Sequence, residues 1–204
     1  MKQIYLDNAA TTPLLPEVID EMAKIMTNYF GNPSSTHSFG RKAKNIIETY
    51  RKEIAAHFGA LPAEIIFTSN GTEANNIAIK SCIQNHEVNH IISSNIEHKA
   101  VLNTVKAMAK LHSVEISYVN ILPNGEIDYK HLEEILSSHL PKKTLVSLML
   151  ANNETGVILD AKKVSGLCKT YSALFHSDTV QYIAHYPINF MELGIDYATC
   201  SRSE

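Results

Sequence analysis

From Glu64 onward, short apolar runs alternate with segments of helical spacing, and no other feature constrains the fold as strongly. Strands that are joined through helices run parallel, because each helix carries the chain back to the same end of the sheet. The pattern therefore predicts an α/β fold with a mostly parallel sheet between helices. The predicted strands are residues 65–67, 90–93, 114–119, 144–150, 173–176 and 197–200, and the predicted helices are residues 73–85, 99–112, 129–138 and 161–172.

Two further helices are predicted before this alternation begins, over residues 16–29 and 38–58. Pro16 suits the first turn of a helix, and Gly59 is a natural C-cap. The intervening residues 30–37 are rich in Gly, Asn, Pro and Ser, which indicates a loop. The chain has 204 residues, of which 45% are hydrophobic, so it suits one domain or one domain with a fragment of a second.

The composition argues against several classes of protein. The net charge is −3, so the chain has no basic excess with which to bind nucleic acid directly. No apolar run approaches the length of a membrane span, and the first seven residues lack the apolar stretch of a signal peptide. Cys82, Cys168 and Cys200 have the spacing of neither a zinc site nor a disulfide framework, so we expect no metal and a reduced, cytoplasmic setting.

Residues 68–75 are Thr-Ser-Asn-Gly-Thr-Glu-Ala-Asn, and they connect a predicted strand to a predicted helix. The first amides of a helix have no partner inside the helix and attract anions, most often phosphates. Gly71 allows close approach of the backbone, and the hydroxyls of Ser69 and Thr72 can donate further hydrogen bonds. The alternative is a simple N-cap in which Glu73 assists from the first turn.

Polar residues also follow the other predicted strands, at the edge where parallel sheets bind ligands. Asp178 ends a buried strand, where a carboxylate is costly unless it has a partner such as a protonated ring nitrogen. Pyridoxal phosphate (PLP) offers that nitrogen. Gln181 can then reach the ring oxygen, and His98 can stack on the ring. Asn153 can hold either the ring edge or the substrate. Singly, each residue has an ordinary explanation as a cap, a surface residue or a loop residue, so the inference depends on their coincidence.

Five ordered motifs extend this inference to a family. They are YLDNAATTP at 5–13, GNPSS at 31–35, TSNGTEAN at 68–75, EHKAV at 97–101 and NNETG at 152–156. Together they resemble the cysteine desulfurases, which are PLP-dependent enzymes of the class V aminotransferase fold. The resemblance runs from Tyr5 to about Ser201, and it implies the large domain of the fold type I PLP-dependent transferases.

The resemblance implies a set of cofactor contacts. Gly71, Thr72 and Ser201 hold the phosphate of PLP. Asp178 pairs with the ring nitrogen, and Gln181 hydrogen-bonds the ring oxygen.

The resemblance also implies a reaction. His98 stacks on the ring and helps to transfer protons, which makes it the catalytic residue. Asn153 contacts both cofactor and substrate, and Asn8 approaches the substrate carboxylate. In the family, L-cysteine is converted to L-alanine while its sulfur passes to an enzyme cysteine. The sulfur then goes to an iron–sulfur scaffold or to another acceptor for tRNA thiolation, and the family forms homodimers.

The chain departs from the family after its last predicted strand. The family has Ser-x-His-Lys there, with the Schiff-base lysine, whereas this chain has Ser201-Arg202-Ser203-Glu204. A carboxylate cannot form an imine, so we expect PLP to bind non-covalently at best. None of the three cysteines matches the family's sulfur-accepting cysteine. We expect residues 1–204 to be the N-terminal and large PLP-binding domain without the C-terminal small domain, truncated or frameshifted and inactive as this chain.

Two alternatives belong to other classes of function. The chain can be a non-catalytic partner that pairs with a full-length desulfurase through the family's dimer surface. It can also be a fragment of a selenocysteine lyase or of another class V enzyme, although the motifs at 5–13 and 31–35 favour a desulfurase.

Overall fold

The computed structural model describes residues 3–140, 142–183 and 185–201. The chain divides into two compact units, the first ending at Phe67 and the second beginning at Thr68. None of the described helices is long and apolar enough to cross a membrane.

The first unit is helical. Helix α1 spans Pro16–Asn28 and helix α2 spans Ser38–Phe58, in agreement with the two predicted helices to within one residue. Gly59 ends α2 in the left-handed conformation at φ 66°, which is the predicted C-cap. The loop between the helices packs tightly, because a Cβ added at Gly40 would lie 2.3 Å from the Ser35 carbonyl oxygen.

The predicted strand at residues 65–67 is wrong. These residues form neither helix nor strand, and they follow a short 3-10 helix over Pro62–Glu64. The side chain of Phe67 is half exposed and that of Ile66 is 70% exposed. The Arg51 guanidinium bonds the Ile65 carbonyl and lies 4.6 Å from the centre of the Phe67 ring. A side chain of α2, rather than a neighbouring strand, therefore holds this apolar run.

The second unit is a five-stranded sheet covered by helices, and all of its strand pairs are parallel. This architecture confirms the predicted α/β fold. The strands are β1 (His90–Ser94), β2 (Glu115–Val119), β3 (Thr144–Ser147), β4 (Leu174–Asp178) and β5 (Tyr197–Thr199). The helices are α3 (Gly71–His86), α4 (Lys99–His112), α5 (Tyr129–Ser138), α6 (Ala161–Thr170) and α7 (Phe190–Leu193), the last of which was not predicted.

Strand order sets where a ligand can bind. The order is β2-β1-β3-β4-β5, so successive connections run outward in opposite directions from the boundary between β1 and β3. Both of these strands are fully buried. In such sheets the ligand crevice lies outside the carboxyl ends of the strands at this reversal. We call this edge of the sheet the carboxyl edge and the opposite one the amino edge.

Strand β3 is shorter than predicted. It ends at Ser147, although the next three residues, Leu148 to Leu150, are also buried. The amides of Leu148 and Leu150 still donate to the carbonyls of His176 and Asp178, at 3.1 and 2.9 Å. The segment is therefore no longer part of the regular strand, but it remains hydrogen-bonded to β4. The loop that follows it lies at the carboxyl edge.

Candidate cofactor site at the carboxyl edge

The N-terminus of α3 combines a cap with free amides. The side chain of Asn70 accepts a hydrogen bond from the Glu73 amide at 2.9 Å, and the Glu73 carboxylate accepts one from the Ser69 amide at 2.6 Å. The capping alternative is therefore real. Within the described part of the chain, the amides of Gly71 and Thr72 donate to nothing. Capping thus leaves two donors at the positive end of a 16-residue helix for an external anion.

Gly71 forms one wall of a narrow cup. A Cβ at this position would lie 3.1 Å from the Ser201 Cβ and 3.3 Å from a Val180 methyl group. Ser201 and Val180 are half-buried, and Thr72 is exposed. The structure therefore brings Gly71, Thr72 and Ser201 together, as a phosphate site requires, and a larger residue at position 71 would press on the side chains of Ser201 and Val180.

Asp178 lies at the end of β4 and is only 5% exposed. Its Oδ2 accepts a hydrogen bond from the Asn75 amide nitrogen at 2.8 Å, and its Oδ1 accepts one from the Val180 amide at 3.1 Å. Among the described residues no cationic side chain bonds this carboxylate. A buried carboxylate with only neutral donors suits a cationic ligand group such as a protonated ring nitrogen.

His98 caps α4 and has one ring nitrogen engaged. Its Nδ1 accepts a hydrogen bond from the Ala100 amide at 3.1 Å, so in the neutral ring Nε2 carries the proton. The side chain is exposed, and it lines an open groove of about 400 Å³ together with Thr72 and Lys99. The groove therefore places the histidine on the same side of the molecule as the start of α3.

A buried carboxyl group beside His98 was missed as a site residue. The Oε1 atom of Glu97 accepts hydrogen bonds from the Ser94 hydroxyl at 2.9 Å and from the Met149 amide at 3.0 Å. Burial raises the pKa of Glu97 to about 8, and the Asp178 carboxylate adds to the rise. Glu97 thus joins the exits of β1 and β3. The sequence showed Glu97 only as a neighbour of His98, without a signal that it would be buried.

Asn152 reinforces the same junction. Its Nδ2 donates to the Ile96 carbonyl at 2.8 Å, and its Oδ1 accepts from the Glu154 and Thr155 amides. The predicted residue Asn153 follows it, half-buried in the turn that these bonds hold. Asn152 is therefore a positioning residue for the turn that carries Asn153.

Two further predicted residues, Gln181 and Asn8, lie in turns. Gln181 is half-buried in the turn that follows Asp178. Asn8 is exposed in a turn of the first unit. Arg202, Ser203 and Glu204, which carry the departure from the family motif, lie outside the described residues.

A second polar cluster occupies the amino edge, and we call it the amino-edge cluster. It consists of His90, Glu115 and His139, whose potential ligand atoms lie within 4.8 Å of one another. The two rings stack with centroids 4.1 Å apart and planes 10° apart, so they cannot both direct a lone pair at one ion. Both nitrogens of His90 contact hydroxyls, and Lys142 pairs with Glu115. This arrangement fits an ion-pair cluster better than a metal site.

The described cysteines lack the features of a reactive thiol. Cys82 and Cys168 are buried, and burial raises the pKa of each thiol to about 12. Cys200 is exposed, but burial of its sulfur and the nearby Asp178 carboxylate raise its pKa. All three therefore remain thiols rather than nucleophilic thiolates at neutral pH.

Comparisons with known proteins identify the family to which the chain belongs. Residues 4–202 match the family described as "Aminotransferase class-V". The chain is 43% identical to the cysteine desulfurase IscS of Dictyoglomus turgidum over 202 residues, which is 98% of this chain and 50% of that protein. The solved NifS-like protein from Rickettsia africae is similar with a TM-score of 0.87 and 39% identity, over 99% of this chain and 54% of that one. A structure titled "SspA in complex with cysteine" is similar with a TM-score of 0.89 and 32% identity, over 98% of this chain and 57% of that one.

This chain therefore spans about half the length of the curated relatives that it matches.

Proposed function

This chain belongs to the class V aminotransferase family, which is PLP-dependent, and from that premise we propose that it is the PLP-binding part of a cysteine desulfurase. One observation carries the proposal. In the first turn of α3 the amides of Gly71 and Thr72 have no hydrogen-bond acceptor among the described residues. In the next turn, Asn75 donates a hydrogen bond to the buried Asp178 carboxylate. A single helix thus carries the amides that suit a phosphate and also supports the carboxylate that suits a ring nitrogen.

The proposed cofactor contacts follow from these groups. Gly71, Thr72 and Ser201 bind the phosphate, and Asp178 pairs with the ring nitrogen. When bound, PLP supplies an electron sink for bonds at the substrate α-carbon, and a charged ring nitrogen makes that sink effective. Gln181, Asn153 and Asn8 complete the proposed contacts, to the ring oxygen, to the ring edge with the substrate, and to the substrate carboxylate.

We propose His98 as the residue that moves protons at this site. While its Nδ1 caps α4, proton exchange at the ring runs through Nε2, which is the nitrogen left for substrate. Uptake of a second proton breaks the bond to the Ala100 amide, because Nδ1 then becomes a donor. The cap thus couples the protonation state of His98 to the order of the α4 N-terminus.

We propose L-cysteine as the substrate and L-alanine as the product, with L-selenocysteine as the competing substrate to measure. The similarity to the structure titled "SspA in complex with cysteine" and to curated cysteine desulfurases supports this choice. The proposed destination of the sulfur is an iron–sulfur scaffold or another acceptor, in a reduced cytoplasmic compartment. The buried free thiols of Cys82 and Cys168 are consistent with that compartment.

We further propose that this chain binds PLP without a covalent bond. Glu204 stands where the family motif has its lysine, and a carboxylate cannot form an imine. The test is to add PLP to the purified chain, reduce with borohydride, and determine adducts by mass spectrometry. We expect saturable binding by absorbance, and after reduction only scattered, sub-stoichiometric lysine adducts. A stoichiometric adduct on one lysine, of which Lys99 beside His98 is the first to inspect, would overturn the non-covalent proposal.

A matched pair of glycine variants tests the phosphate cup. Gly71→Ala places a methyl group against Ser201 and Val180, so we expect the dissociation constant for PLP to rise at least tenfold. Gly166→Ala in α6 adds the same methyl group where no atom outside the neighbouring backbone of its own helix lies within 4 Å, and it should leave PLP affinity unchanged. Equal affinity of both variants and the unmodified chain would remove the cup from the proposal.

A second candidate function rests on the first unit, where apolar side chains are exposed. Helix α1 has no buried residue, and Ile19, Met22, Met26 and Phe30 on and after it are between 47 and 74% exposed. Exposed apolar surface of this kind marks a protein interface. Because the relatives are about twice as long, we propose a full-length desulfurase as the partner.

Co-expression of the tagged chain with a full-length relative tests this second candidate. We expect a stoichiometric complex by size-exclusion chromatography with light scattering, and its loss in the double variant Met22→Lys/Met26→Lys. The double variant Glu17→Lys/Asp20→Lys, on the same helix, is the control for added charge. A chain that stays monomeric beside the relative would rule out this role.

A further inference from the structure

A chain of buried hydrogen bonds runs through the sheet to Asp178. Ser147 Oγ lies 2.8 Å from His176 Nδ1, and His176 Nε2 lies 3.4 Å from Thr199 Oγ1. Thr199 Oγ1 lies 2.6 Å from Asn75 Oδ1, and Asn75 Nδ2 lies 2.8 Å from Asp178 Oδ2. All five side chains are at most 5% exposed, so water does not substitute for any of these partners.

Strand register explains why these residues meet. Ser147 is the register partner of His176 across β3 and β4, and Asp178 is the register partner of Thr199 across β4 and β5. His176 and Asp178 are two residues apart, so their side chains lie on the same face of the sheet. Asn75 in α3 completes the set from the helix that covers this face.

The hydrogen bonds have one direction. The Thr199 hydroxyl donates to Asn75 Oδ1, so its own oxygen accepts from His176 Nε2–H. Nδ1 of the neutral ring then accepts from the Ser147 hydroxyl. Burial lowers the pKa of His176 to about 4, which keeps the ring neutral as this arrangement requires. Every donor points toward Asp178, and hydrogen bonds aligned in this way polarise one another.

We propose that Asn75, Thr199 and His176 are positioning residues that hold the Asp178 carboxylate aimed at a cationic ligand group. The inference rests on the proposed function, in which that group is the ring nitrogen of PLP. Thr199 fixes the amide of Asn75 with its NH₂ group toward Asp178. Without the Thr199 hydroxyl the amide is free to turn over, and its oxygen would then face the carboxylate and repel it.

The test compares two buried threonines at opposite edges of the sheet. Thr199→Val removes the hydroxyl that orients Asn75, and we expect the dissociation constant for PLP to rise at least tenfold. Thr144→Val removes a buried strand hydroxyl that contacts His90 at the amino edge, and it should change PLP affinity less than twofold. Thr199→Ser keeps the hydroxyl and should restore affinity to within threefold. Circular dichroism and melting temperature establish that each variant is folded.

A measurement without PLP reports on the chain of hydrogen bonds itself. Imidazole ¹⁵N–¹H NMR should show His176 as the neutral Nε2–H tautomer at pH 7, with its signals moved by Thr199→Val and unmoved by Thr144→Val. The measurement on the unmodified chain tests the direction of the hydrogen bonds even if Thr199→Val does not fold.

Three results would overturn the inference. The first is a His176 ring that is charged or carries its proton on Nδ1. The second is PLP binding by Thr199→Val within twofold of the unmodified chain, which refutes the positioning role alone. The third is an unmodified chain that binds no PLP, which refutes the proposed function and removes the role that depends on it.

Discussion

At the amino edge of the sheet, Glu115 is exposed and is shared between the Lys142 ammonium and the His139 ring. At the carboxyl edge, Glu97 and Asp178 are buried and receive hydrogen bonds only from hydroxyl and amide groups. The carboxylate at the amino edge is paired with cationic groups, whereas the carboxyl groups at the carboxyl edge have no cationic partner among the described residues. A cluster whose charges are already paired supports the fold, while a buried carboxylate without a cationic partner, such as Asp178, is typical of a site for a cationic ligand.

The two edges differ in the pKa values of their glutamates. Burial raises the pKa of Glu97 to about 8, so this carboxyl group remains largely protonated at neutral pH. Its second oxygen, Oε2, is buried without a described partner, and Glu97 lines a small cavity of about 20 Å³, enough for one water. At the amino edge, by contrast, Lys142 and His139 lower the pKa of Glu115 to about 2.

The largest expected effect is a loss of stability at acid pH, to which one buried histidine at each edge contributes. Burial lowers the pKa of His90 at the amino edge and of His176 at the carboxyl edge, each from 6.5 to about 4. The folded chain therefore binds fewer protons than the unfolded chain between these values, and stability falls as the pH drops from 6.5 toward 4. The expected loss is about 3 kcal/mol per ring, and therefore about 6 kcal/mol for the two rings together.

Urea unfolding at several pH values measures this loss. Glu97 changes stability in the opposite direction over this pH range, so the comparison is made in the Glu97→Gln background. There His90→Gln and His176→Gln should each remove about half of the acid-dependent slope, and both together should remove most of it. A slope that depends on only one of the two histidines would show that the edges differ here as well.

The next largest effect is a loss of stability as the pH rises, and it should arise at the carboxyl edge alone. Because the folded pKa of Glu97 lies above its ordinary value of 4.5, its contribution to stability falls as the pH rises from 4.5 to 8, by about 5 kcal/mol. Glu97→Gln is neutral at every pH, so it should abolish this loss and raise the free energy of unfolding at pH 8. Glu115→Gln, the matched variant at the other edge, should leave the slope between pH 6 and 8 intact. Denaturant melts of the two variants at pH 6 and 8 are sufficient, and a stability of Glu97→Gln that falls as steeply as that of the unmodified chain would contradict the assignment.

Local pattern was enough to predict the sheet but not every strand. The runs around Ile66 and Ile91 look alike in sequence, yet Ile91 is fully buried and Ile66 is 70% exposed. The difference is tertiary, since Ile91 has strands on both sides whereas the carbonyl beside Ile66 is bonded by Arg51. Hydrophobicity alone carries no information about which neighbours a strand will find.

The site shows the same division. Gly71, Asp178 and His98 were predicted because each residue type suits a known role at a strand exit or helix start. Thr199 and His176 were not predicted, because a buried threonine or histidine in a strand has no local signal. Their relation to Asp178 depends on register between strands that are more than 20 residues apart in sequence, and on a helix that begins about 100 residues earlier.

The smallest expected effect concerns the amino edge alone. Because the folded pKa of Glu115 lies below 4.5, its contribution to stability is present above that pH and is lost as the pH falls toward 2. The pair with Lys142 is solvent-exposed, so its coupling should be weak and screened by salt. A double-mutant cycle with Glu115→Gln and Lys142→Met should give a small stabilising coupling at low ionic strength that disappears in 1 M salt (Debye length about 3 Å). Stability changes of Glu97→Gln should be insensitive to the same salt, because both of its hydrogen-bond partners are buried with it. Coupling at Glu115 that survives high salt would mean that this carboxylate is held as firmly as those at the carboxyl edge, and the distinction between a neutralised edge and an uncompensated one would lose its physical basis.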